Sequence, residues 1–443
     1  MRLFLSSLAI CAAFLCADAW TMVGETLEFD VVDSALFPGT QRRVQVYVPK
    51  QYTTECEAWL YVGLDGNLFN AVATIDSLIC ENQLPQMIGV FVEPGRVVDR
   101  HSNVLRYNRS YEFDSCSPLL AEFVETEVFP RVEKLTTADG RAIRLTRNPD
   151  RRIVAGASSS GIAAFTMAWE RPDLFRRVYS ACGTFVAMRG GNSYNSLIRK
   201  TEPKPIRVFL QDGEKDAWNP LFGDWYEENL AVESALRFAG YAVDHEWGDG
   251  GHSIAHGTRI FDRVIRWLCQ GDSVPIGKSQ NDMLEQILLD GSGWTKTDSV
   301  VDTATPLPYD SICAMMPNCR HVAVASPTHP IVYDHLLAPD GSLYAAEPFY
   351  RLEGDSPAYN LIYDNRGNLY CSTRIGIQVC DHNGRVRAIL PVPVRCRYHI
   401  GWGGDDFTTL YVISDDGNFC RQMKCRGWLP WQPVVDIVSQ GQG

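Results

Sequence analysis

Between residues 20 and 270, short runs of β-prone residues alternate with stretches of helical periodicity. The runs predict strands at residues 43–48, 59–62, 88–92, 152–155, 177–181, 206–210 and 243–247. The stretches predict helices at residues 119–134, 161–170, 225–238 and 258–268. Because strands and helices alternate, we expect a mostly parallel sheet covered by helices, which is the α/β fold class.

The pattern changes after residue 270, and a second domain is expected because 443 residues exceed the roughly 250–300 that one core supports. We predict a first domain at 20–270, a linker at 271–280 and an all-β domain at 281–443. In the last region a turn followed by a β-prone run recurs at residues 340–344, 364–370 and 405–411. Such units indicate hairpins or the blades of a propeller.

The first 19 residues have the three parts of a signal peptide. Met1-Arg2 gives a positive start, residues 3–16 are apolar, and Ala17-Asp18-Ala19 offers small residues for cleavage. The apolar run is shorter than the roughly 20 residues that span a bilayer. The sequence therefore predicts cleavage after Ala19 and secretion to the extracellular space, with an uncleaved anchor or a buried strand as the alternative.

Cysteine content and charge fit an exported protein. Twelve of the 14 cysteines remain after cleavage, an even number that allows disulfides, and the pairs Cys56–Cys80 and Cys420–Cys425 are close enough in sequence for local bridges. Asn108 begins an Asn-Arg-Ser glycosylation sequon. The net charge of -12 argues against a nucleic-acid or anionic-membrane partner.

A predicted strand runs into the small residues of Gly156-Ala157-Ser158-Ser159-Ser160-Gly161 and then into a predicted helix. Such a turn presents a serine nucleophile at the tip of a sheet, and the next backbone N–H can stabilise an oxyanion. Two imperfect frames compete, G-x-S-x-S for Ser158 and A-x-S-x-G for Ser159. A serine-rich helix cap is the structural alternative.

An activated serine needs a histidine base and a carboxylate that orients it, and in α/β-hydrolases these follow the serine in the order acid, then base. Asp212 and Asp216 follow the predicted strand at residues 206–210 and are the candidate acids. His252 lies in a glycine-rich loop after the last strand and is the candidate base. His245 lies within a strand pattern and is expected to be structural, and His256 is expected to support the site.

The segment around Ser158 resembles the elbow of the enterochelin esterase and esterase D group of putative esterases, which reads G-x-S-x-G-G. Gly156 and Gly161 match its first and last glycines, Ser158 its nucleophile, and Ser160 replaces the penultimate glycine. The resemblance covers most of residues 20–270. It implies an α/β-hydrolase sheet with flanking helices.

The same resemblance assigns the other catalytic residues. It implies Asp216 as the acid, in G-x-x-D after Gly213, and His252 as the base, in G-G-H. A D-G pair of the family matches Asp65-Gly66. The oxyanion hole is therefore expected near Gly66 and Asn67, joined by the N–H of Ser159.

The resemblance implies a serine carboxylester hydrolase that works through an acyl-enzyme and needs no cofactor and no metal, and the signal peptide predicts that it is secreted. Carbohydrate, feruloyl and siderophore esters are compatible with the family, and no membrane span is expected. Arg106, Arg109 and Arg189 are candidates to contact an anionic or hydroxylated substrate, or else to form salt bridges. The alternatives are a non-catalytic binding protein on a hydrolase scaffold and a sugar lactonase in the C-terminal domain.

Residues 370–386 resemble a blade segment of the regucalcin-type gluconolactonase propellers. A full propeller of that kind needs six blades of about 40–45 residues each, and the 171 residues from Ser273 to Gly443 suffice for about four. The C-terminal domain is therefore expected to be a partial or degenerate β-propeller used for binding or assembly. No metal-binding acids of that family are transferred to this sequence.

Overall fold

The computed structural model describes residues 24–301 and 311–430. The predicted signal peptide at residues 1–19 lies outside these ranges. Within them, no helix combines the length and the apolar character that crossing a bilayer demands.

The N-terminal domain is built on one eight-stranded mixed sheet, which confirms the predicted α/β class. Its order is β1-β2-β4-β3-β7-β8-β9-β12, in which the pairs β1–β2 and β2–β4 are antiparallel and the remaining pairs are parallel. Two short ribbons, β5–β6 and β10–β11, lie outside the sheet. The strands are β1 (Glu25–Val31), β2 (Arg42–Val48), β3 (Trp59–Leu64), β4 (Met87–Val92), β5 (Arg96–Val98), β6 (Val104–Tyr107), β7 (Arg152–Ala157), β8 (Arg177–Ala181), β9 (Arg207–Lys215), β10 (Trp218–Asn219), β11 (Gly223–Asp224) and β12 (Ala242–Gly251).

Helices cover both faces of this sheet because the central strands are buried on both sides and need apolar partners. The first and last long helices, α1 and α9, pack on one face, while α3, α5 and α7 pack on the other. The helices are α1 (Ala71–Cys80), α2 (Arg109–Phe113), α3 (Leu119–Phe123), α4 (Phe129–Val132), α5 (Ser159–Glu170), α6 (Tyr194–Lys200), α7 (Trp225–Phe238), α8 (Ile254–Arg259), α9 (Phe261–Leu268) and α10 (Asp282–Ile287).

The C-terminal region is all-β apart from α10 and consists of three four-stranded antiparallel sheets in the described residues, not the four blades for which its length has room. Their orders are β14-β15-β16-β17, β18-β19-β20-β21 and β13-β24-β23-β22. The strands are β13 (Thr295–Thr297), β14 (Cys313–Met315), β15 (His321–Ala325), β16 (Ile331–Leu337), β17 (Leu343–Arg351), β18 (Asn360–Tyr363), β19 (Leu369–Thr373), β20 (Gly376–Cys380), β21 (Val386–Leu390), β22 (Tyr398–Gly403), β23 (Thr409–Ser414) and β24 (Asn418–Gln422).

The middle sheet is buried on both faces because it shares one apolar core with each of its neighbours. The predicted turn-plus-strand units close hairpins, and an aspartate organises each turn. Asp364 Oδ1 accepts hydrogen bonds from the N–H groups of Arg366 and Asn368, both at 2.9 Å. In the other two sheets, Asp340 accepts from the Ser342 N–H at 2.9 Å and Asp406 from the Thr408 N–H at 3.1 Å.

Polar contacts fix the two regions against each other. Arg421 is buried and pairs with both carboxylate oxygens of Glu202, at 2.6 and 2.7 Å. The Asn281 amide donates to the backbone carbonyls of Arg199 at 2.8 Å and Arg387 at 3.0 Å. These contacts pack the C-terminal β region against the N-terminal region.

The cysteines of the described residues are all free thiols. Cys425 Sγ lies 3.1 Å from the Tyr370 hydroxyl, and Cys420 Sγ lies 3.3 Å from the Thr295 hydroxyl. The predicted local bridges Cys56–Cys80 and Cys420–Cys425 are therefore not formed.

Candidate active site

The predicted site residues lie where the parallel strands end. Ser158 directly follows β7, Asp216 follows β9, and His252 follows β12. Because the carboxyl ends of parallel strands meet at one edge of a sheet, loops far apart in sequence converge there. The cavity at this edge has a volume of 250 Å³ and is lined by Asp65, Leu68, Arg109, Ala157, Ser158, Cys182, His252, Ser253 and Ile254.

Ser158 occupies a sharp turn between β7 and α5. Its backbone has φ 60° and ψ -122°, a conformation that L-residues rarely adopt and that the surrounding structure must stabilise. A Cβ at Gly156 would lie 2.2 Å from the Ser160 carbonyl oxygen, and one at Gly161 would lie 3.0 Å from that of Ala181. These two glycines therefore allow the close approach of strand and helix that the turn requires.

Ser160 replaces a glycine of the family elbow, and its side chain bridges the turn. Its hydroxyl accepts a hydrogen bond from the Ala157 N–H at 2.8 Å and donates one to the Ala157 carbonyl at 2.7 Å. Ser160 is completely buried. The departure from the family pattern thus adds two hydrogen bonds to the turn.

A continuous hydrogen-bond chain joins the three predicted catalytic side chains. His252 Nε2 lies 2.9 Å from Ser158 Oγ, and His252 Nδ1 lies 2.6 Å from Asp216 Oδ1. The Asp216 side chain is buried, whereas that of His252 is 35% exposed. A Cβ at Gly213 would lie 2.3 Å from the Gly250 carbonyl oxygen, so these glycines let the two loops meet.

Asp212, the other candidate acid, does not contact His252 but lies beside Asp216. It accepts hydrogen bonds from the Gly213 N–H at 2.7 Å and the Asn229 amide at 2.8 Å. Burial raises the pKa of Asp212 well above its usual range, and the hydrogen bond to Asp216 and the charge of Asp216 add to this increase. Asp212 is therefore the protonated member of the pair.

Asp216 is the ionised member. Burial opposes its ionisation, but the hydrogen bonds from His252, Asp212 and the Ala217 N–H outweigh this effect and hold the pKa of Asp216 below its usual value. Its Oδ2 is buried without a nitrogen or hydroxyl donor among the described residues. Asp212 and Asp216 are joined by a side-chain hydrogen bond, which raises the pKa of Asp212 and lowers that of Asp216.

The other two histidines near the site have different surroundings. His245 stacks on Trp247, with ring centroids 4.8 Å apart, and lies 3.4 Å from Glu233. His256 lies 3.5 Å from the Gln211 amide. Neither contacts Ser158 in the described structure, in line with the structural and supporting positions expected for them.

Ser159 is the first residue of α5 and is buried. Its N–H has no acceptor one turn earlier in the helix, since the first amides of any helix lack one. This N–H follows the candidate nucleophile directly, as the predicted oxyanion donor must. The Ser159 side chain lies near the buried Asp114 carboxyl, whereas His252 Nε2 pairs with Ser158 Oγ.

The loop after β3 differs from the predicted oxyanion hole. The Gly66 N–H donates to the Val92 carbonyl at 3.3 Å, and the Asn67 side chain accepts from the Val72 N–H at 3.1 Å. Both residues line a separate cavity with Glu28 and Glu93. The Gly66 N–H is therefore engaged elsewhere, whereas the Asn67 bond uses only its side-chain oxygen, and a backbone donor at Asn67 stays a prediction. Asp65 and Leu68, on either side, line the cavity in front of Ser158.

Arg109 connects this loop to the elbow. Its guanidinium makes a two-pronged ion pair with Asp65, at 2.8 and 2.6 Å, and also donates to the Ala157 carbonyl at 3.3 Å. Asp65 has a positive φ of 63°. Arg109 thus lines the catalytic cavity, with its charge paired to Asp65.

The other two candidate arginines lie in a neighbouring cleft. Arg106 and Arg189 are exposed and line a cavity of 460 Å³ together with Tyr107 and Tyr111. The Arg189 guanidinium lies 5.6 Å from the centre of the Tyr111 ring. The cleft adjoins the catalytic cavity through α2, which contributes Arg109 to one and residues 110–111 to the other.

Asn108, the predicted glycosylation acceptor, is buried. Its side-chain amide donates to Glu112 Oε1 at 2.7 Å, and Glu112 also forms a fully buried ion pair with Arg42. A glycan on Asn108 would have to break this network. The structure therefore corrects the prediction, since a sequon in the sequence carries no information on burial.

Three further residues of the site were not predicted from the sequence, namely Thr184, Trp225 and Cys182. Thr184 Oγ1 lies 3.4 Å from Ser158 Oγ and 3.3 Å from the indole nitrogen of Trp225. Cys182, Asp216 and His252 are the one group in the described residues with three metal-ligand atoms within 4.8 Å of one another. Burial raises the pKa of Cys182 to about 12, which keeps its thiol protonated and makes it a poor ligand.

Residues 35–254, just under half of the chain, match the model of a family described as putative esterase. The uncharacterized protein YbbA of Bacillus subtilis (strain 168) is 22% identical over 181 residues, which are 40% of this chain and 69% of that protein. The matched region is thus a carboxylic ester hydrolase on an α/β-hydrolase sheet.

Two solved structures resemble the same part of the chain. A ferulic acid esterase has a TM-score of 0.44 and 17% identity over 56% of this chain and 98% of its own. The enterobactin esterase from Shigella flexneri has a TM-score of 0.43 and 21% identity over 55% of this chain and 59% of its own.

Proposed function

We propose that the protein is a secreted serine carboxylester hydrolase in which Ser158 is the nucleophile, His252 the base and Asp216 the orienting acid. One observation carries the proposal, namely the hydrogen-bond chain with distances of 2.9 and 2.6 Å through these three side chains. Secretion rests on residues 1–19, which have the pattern of a signal peptide.

In the proposed mechanism, His252 Nε2 accepts the proton of Ser158 as Oγ attacks the ester carbonyl carbon. The carbonyl π-bond opens to give a tetrahedral oxyanion. When it collapses, the bond to the alcohol oxygen breaks and His252 returns the proton to the leaving alcohol. Water, deprotonated by His252, then attacks the acyl-enzyme, and Ser158 Oγ leaves with the returned proton.

The Ser159 N–H is the oxyanion donor that follows from its position at the start of α5. We assign the second donor to the Asn67 N–H, because Asp65 and Leu68 on either side line the cavity in front of Ser158 and the N–H groups of Gly66 and Leu68 bond to backbone carbonyls. One such donor is typically worth about 3–4 kcal/mol of transition-state stabilisation. Arg109 supports both sides of this hole, because it bonds Asp65 and the Ala157 carbonyl.

We further propose that the cleft between Arg106 and Arg189 binds an anionic or hydroxylated ring of the substrate. Two cationic side chains and two exposed tyrosines, Tyr107 and Tyr111, line it. Arginine pairs with carboxylates and tyrosine stacks on planar rings. Carbohydrate, feruloyl and siderophore esters all carry an anionic or hydroxylated ring. Arg109 is not assigned to this cleft, because its guanidinium pairs with Asp65.

The activity is tested by hydrolysis of 4-nitrophenyl esters. Ser158→Ala should lose at least about 1,000-fold in kcat/KM, whereas the matched variant Ser159→Ala, which keeps the backbone N–H, should remain within a factor of ten. Equal activity of Ser158→Ala and the unmodified protein would reject the proposal.

The cleft is tested with 4-nitrophenyl monoesters of dicarboxylic acids of increasing length, each compared with the neutral ester of equal length. The double variant Arg106→Ala/Arg189→Ala should raise KM for the charged series by about tenfold and leave the neutral series unchanged. Arg100→Ala, on the turn between β5 and β6 but outside the cleft, is the control. Equal effects on both series would exclude a charge-reading role.

For the C-terminal region we propose a partial propeller that serves in binding or assembly. One edge strand of each sheet takes part in a row of contacts: β14 contacts β18, and β18 contacts β22, as the inner strands of consecutive blades do. Strand β13 completes the last sheet from the N-terminal side. In the described part of this region no cluster of three potential metal ligands is present, so nothing there favours the lactonase alternative.

A further inference from the structure

We propose that Thr184 is a positioning residue for Ser158, held in turn by Trp225; this inference rests on the proposed esterase function. Thr184 lies three residues after β8 and is 1% exposed. Its hydroxyl oxygen lies 3.4 Å from Ser158 Oγ and 3.3 Å from Trp225 Nε1. Two polar side chains beyond the predicted triad are thus connected to the nucleophile.

The direction of these hydrogen bonds follows from the chemistry of the groups. An indole N–H can only donate, so Thr184 Oγ1 accepts from Trp225. The hydroxyl proton of Thr184 is then free to be donated to Ser158 Oγ. Ser158 Oγ accepts this hydrogen bond and directs its own proton to His252 Nε2, which must be unprotonated because Nδ1–H donates to Asp216.

The chain therefore favours the one hydroxyl orientation of Ser158 that is ready for proton transfer. A serine hydroxyl without such a donor would rotate among its three staggered positions. Fixing it in advance removes an entropic cost from the attack on the ester. The contact with Thr184 thus has a specific role in the acylation step.

The same contact acts more strongly in deacylation. In the acyl-enzyme, Ser158 Oγ is an ester oxygen and a weak acceptor. As the bond between Oγ and the acyl carbon breaks, negative charge builds on Oγ until His252 returns its proton. A hydroxyl that donates to this charged oxygen makes a stronger hydrogen bond than it does in the ground state, and it therefore lowers the barrier.

Trp225 supports both partners of the nucleophile. Its ring meets the His252 ring edge to face, with centroids 6.0 Å apart and planes at 76°. Asp224 caps α7 by accepting from the N–H groups of Tyr226 at 3.0 Å and Glu227 at 3.3 Å, and this cap fixes the start of the helix. Because Trp225 is the first residue of that helix, its ring is held in place against Thr184 and His252.

Thr184 also has a purely structural contact, which the test must separate from its hydroxyl. Its backbone N–H donates to the Ser158 carbonyl at 3.1 Å. Thr184→Val keeps this bond and the side-chain shape but removes the hydroxyl. Thr184→Ser keeps the hydroxyl and removes only a methyl group. The two variants together isolate the hydrogen bond to Ser158.

The experiment is steady-state hydrolysis of a 4-nitrophenyl ester by the full chain and its variants, with thermal unfolding as the check on folding. We expect Thr184→Val to lower kcat by about tenfold and kcat/KM by less, because kcat/KM reports acylation and the lost hydrogen bond acts more strongly in deacylation. Thr184→Ser should restore kcat to within twofold. Trp225→Phe should lower kcat by about threefold, since the hydroxyl remains but loses its partner.

A Thr184→Val protein with unchanged kcat, or a Thr184→Ser protein as impaired as Thr184→Val, would overturn the inference. If Thr184→Val does not fold, the smaller Thr184→Ala variant takes its place in the comparison with Thr184→Ser. Failure of the esterase function is distinct from these outcomes, because then Ser158→Ala would hydrolyse the ester as fast as the unmodified protein.

Discussion

The Ser160 hydroxyl is hydrogen-bonded to both backbone polar groups of Ala157, at 2.8 Å from its nitrogen and 2.7 Å from its oxygen. Ala157 is itself buried. Because a buried N–H left without an acceptor costs about 1–3 kcal/mol, we expect Ser160→Ala to lower the free energy of unfolding by that amount. Urea denaturation measures the change.

Ser193→Ala is a suitable control for this prediction. The Ser193 hydroxyl also donates to a backbone carbonyl, that of Gly190 at 2.7 Å, but Ser193 is exposed. Its loss should change stability by less than about 0.5 kcal/mol. Equal effects of the two variants would show that the contacts of Ser160 do not stabilise the elbow.

The carboxyl pair Asp212–Asp216 predicts a pH dependence of stability. The pKa of Asp212 is raised by burial and by Asp216. Between the ordinary aspartate pKa and this raised value, the folded protein binds a proton that the unfolded chain has released, so the contribution of Asp212 to stability falls as pH rises. The Asp212→Asn side chain can still donate to Asp216 but does not titrate, so the variant lacks this fall in stability with rising pH.

We therefore expect the free energy of unfolding of Asp212→Asn, minus that of the unmodified protein, to be larger at pH 8 than at pH 5. Urea unfolding of both proteins at the two pH values measures it. A constant difference between them would mean that Asp212 is ionised in the folded state, and the assignment of its proton would then be wrong.

The contact between Arg421 and Glu202 predicts how the two domains depend on each other. The Arg421 side chain is 4% exposed and that of Glu202 is 23% exposed. Breaking a buried pair costs about 3–5 kcal/mol. Because water reaches Glu202, we expect Arg421→Met to cost about 2–3 kcal/mol and to separate the unfolding of the two domains into two transitions.

Lys424→Met is the matched variant for this interface prediction. Lys424 pairs with Asp290 at 3.7 Å, and both side chains are exposed, at 38% and 86%. Exposed pairs contribute about 0–1 kcal/mol. If Arg421→Met leaves a single transition with an unchanged midpoint, this contact does not hold the domains together.

Much of the hydrolase fold follows from the sequence because its buried strands are continuous apolar runs. All seven predicted strands are present, and together with β1 they make up the eight-stranded sheet. Strand β1 was not predicted. It lies at the edge of the sheet, and its burial pattern alternates only partly, so its sequence has little hydrophobic periodicity.

The candidate site was harder to predict because its details depend on contacts between distant segments. The order of Ser158, Asp216 and His252 is visible in the sequence. The choice of Asp216 over Asp212 depended on a family motif, since both are strand-end carboxyls. Nothing in the sequence marks Thr184, which reaches Ser158 only because β8 ends beside β7.

The errors have the same origin. Asn108 and Gly66 both lie in recognisable short motifs, but a motif does not show which groups are already engaged. Asn108 is held by Glu112, and the Gly66 N–H by Val92. The pairing of Arg109 with Asp65, which connects residues 44 positions apart, is a property of the folded chain alone.

Covalent labelling with a fluorophosphonate probe, followed by mass spectrometry of the labelled peptide, tests the central claim most directly. The probe phosphonylates a serine only when a neighbouring base activates it. We predict one label on Ser158, its loss in Ser158→Ala and in His252→Ala, and its retention in Ser159→Ala. A label that persists in Ser158→Ala and disappears in Ser159→Ala would contradict the account.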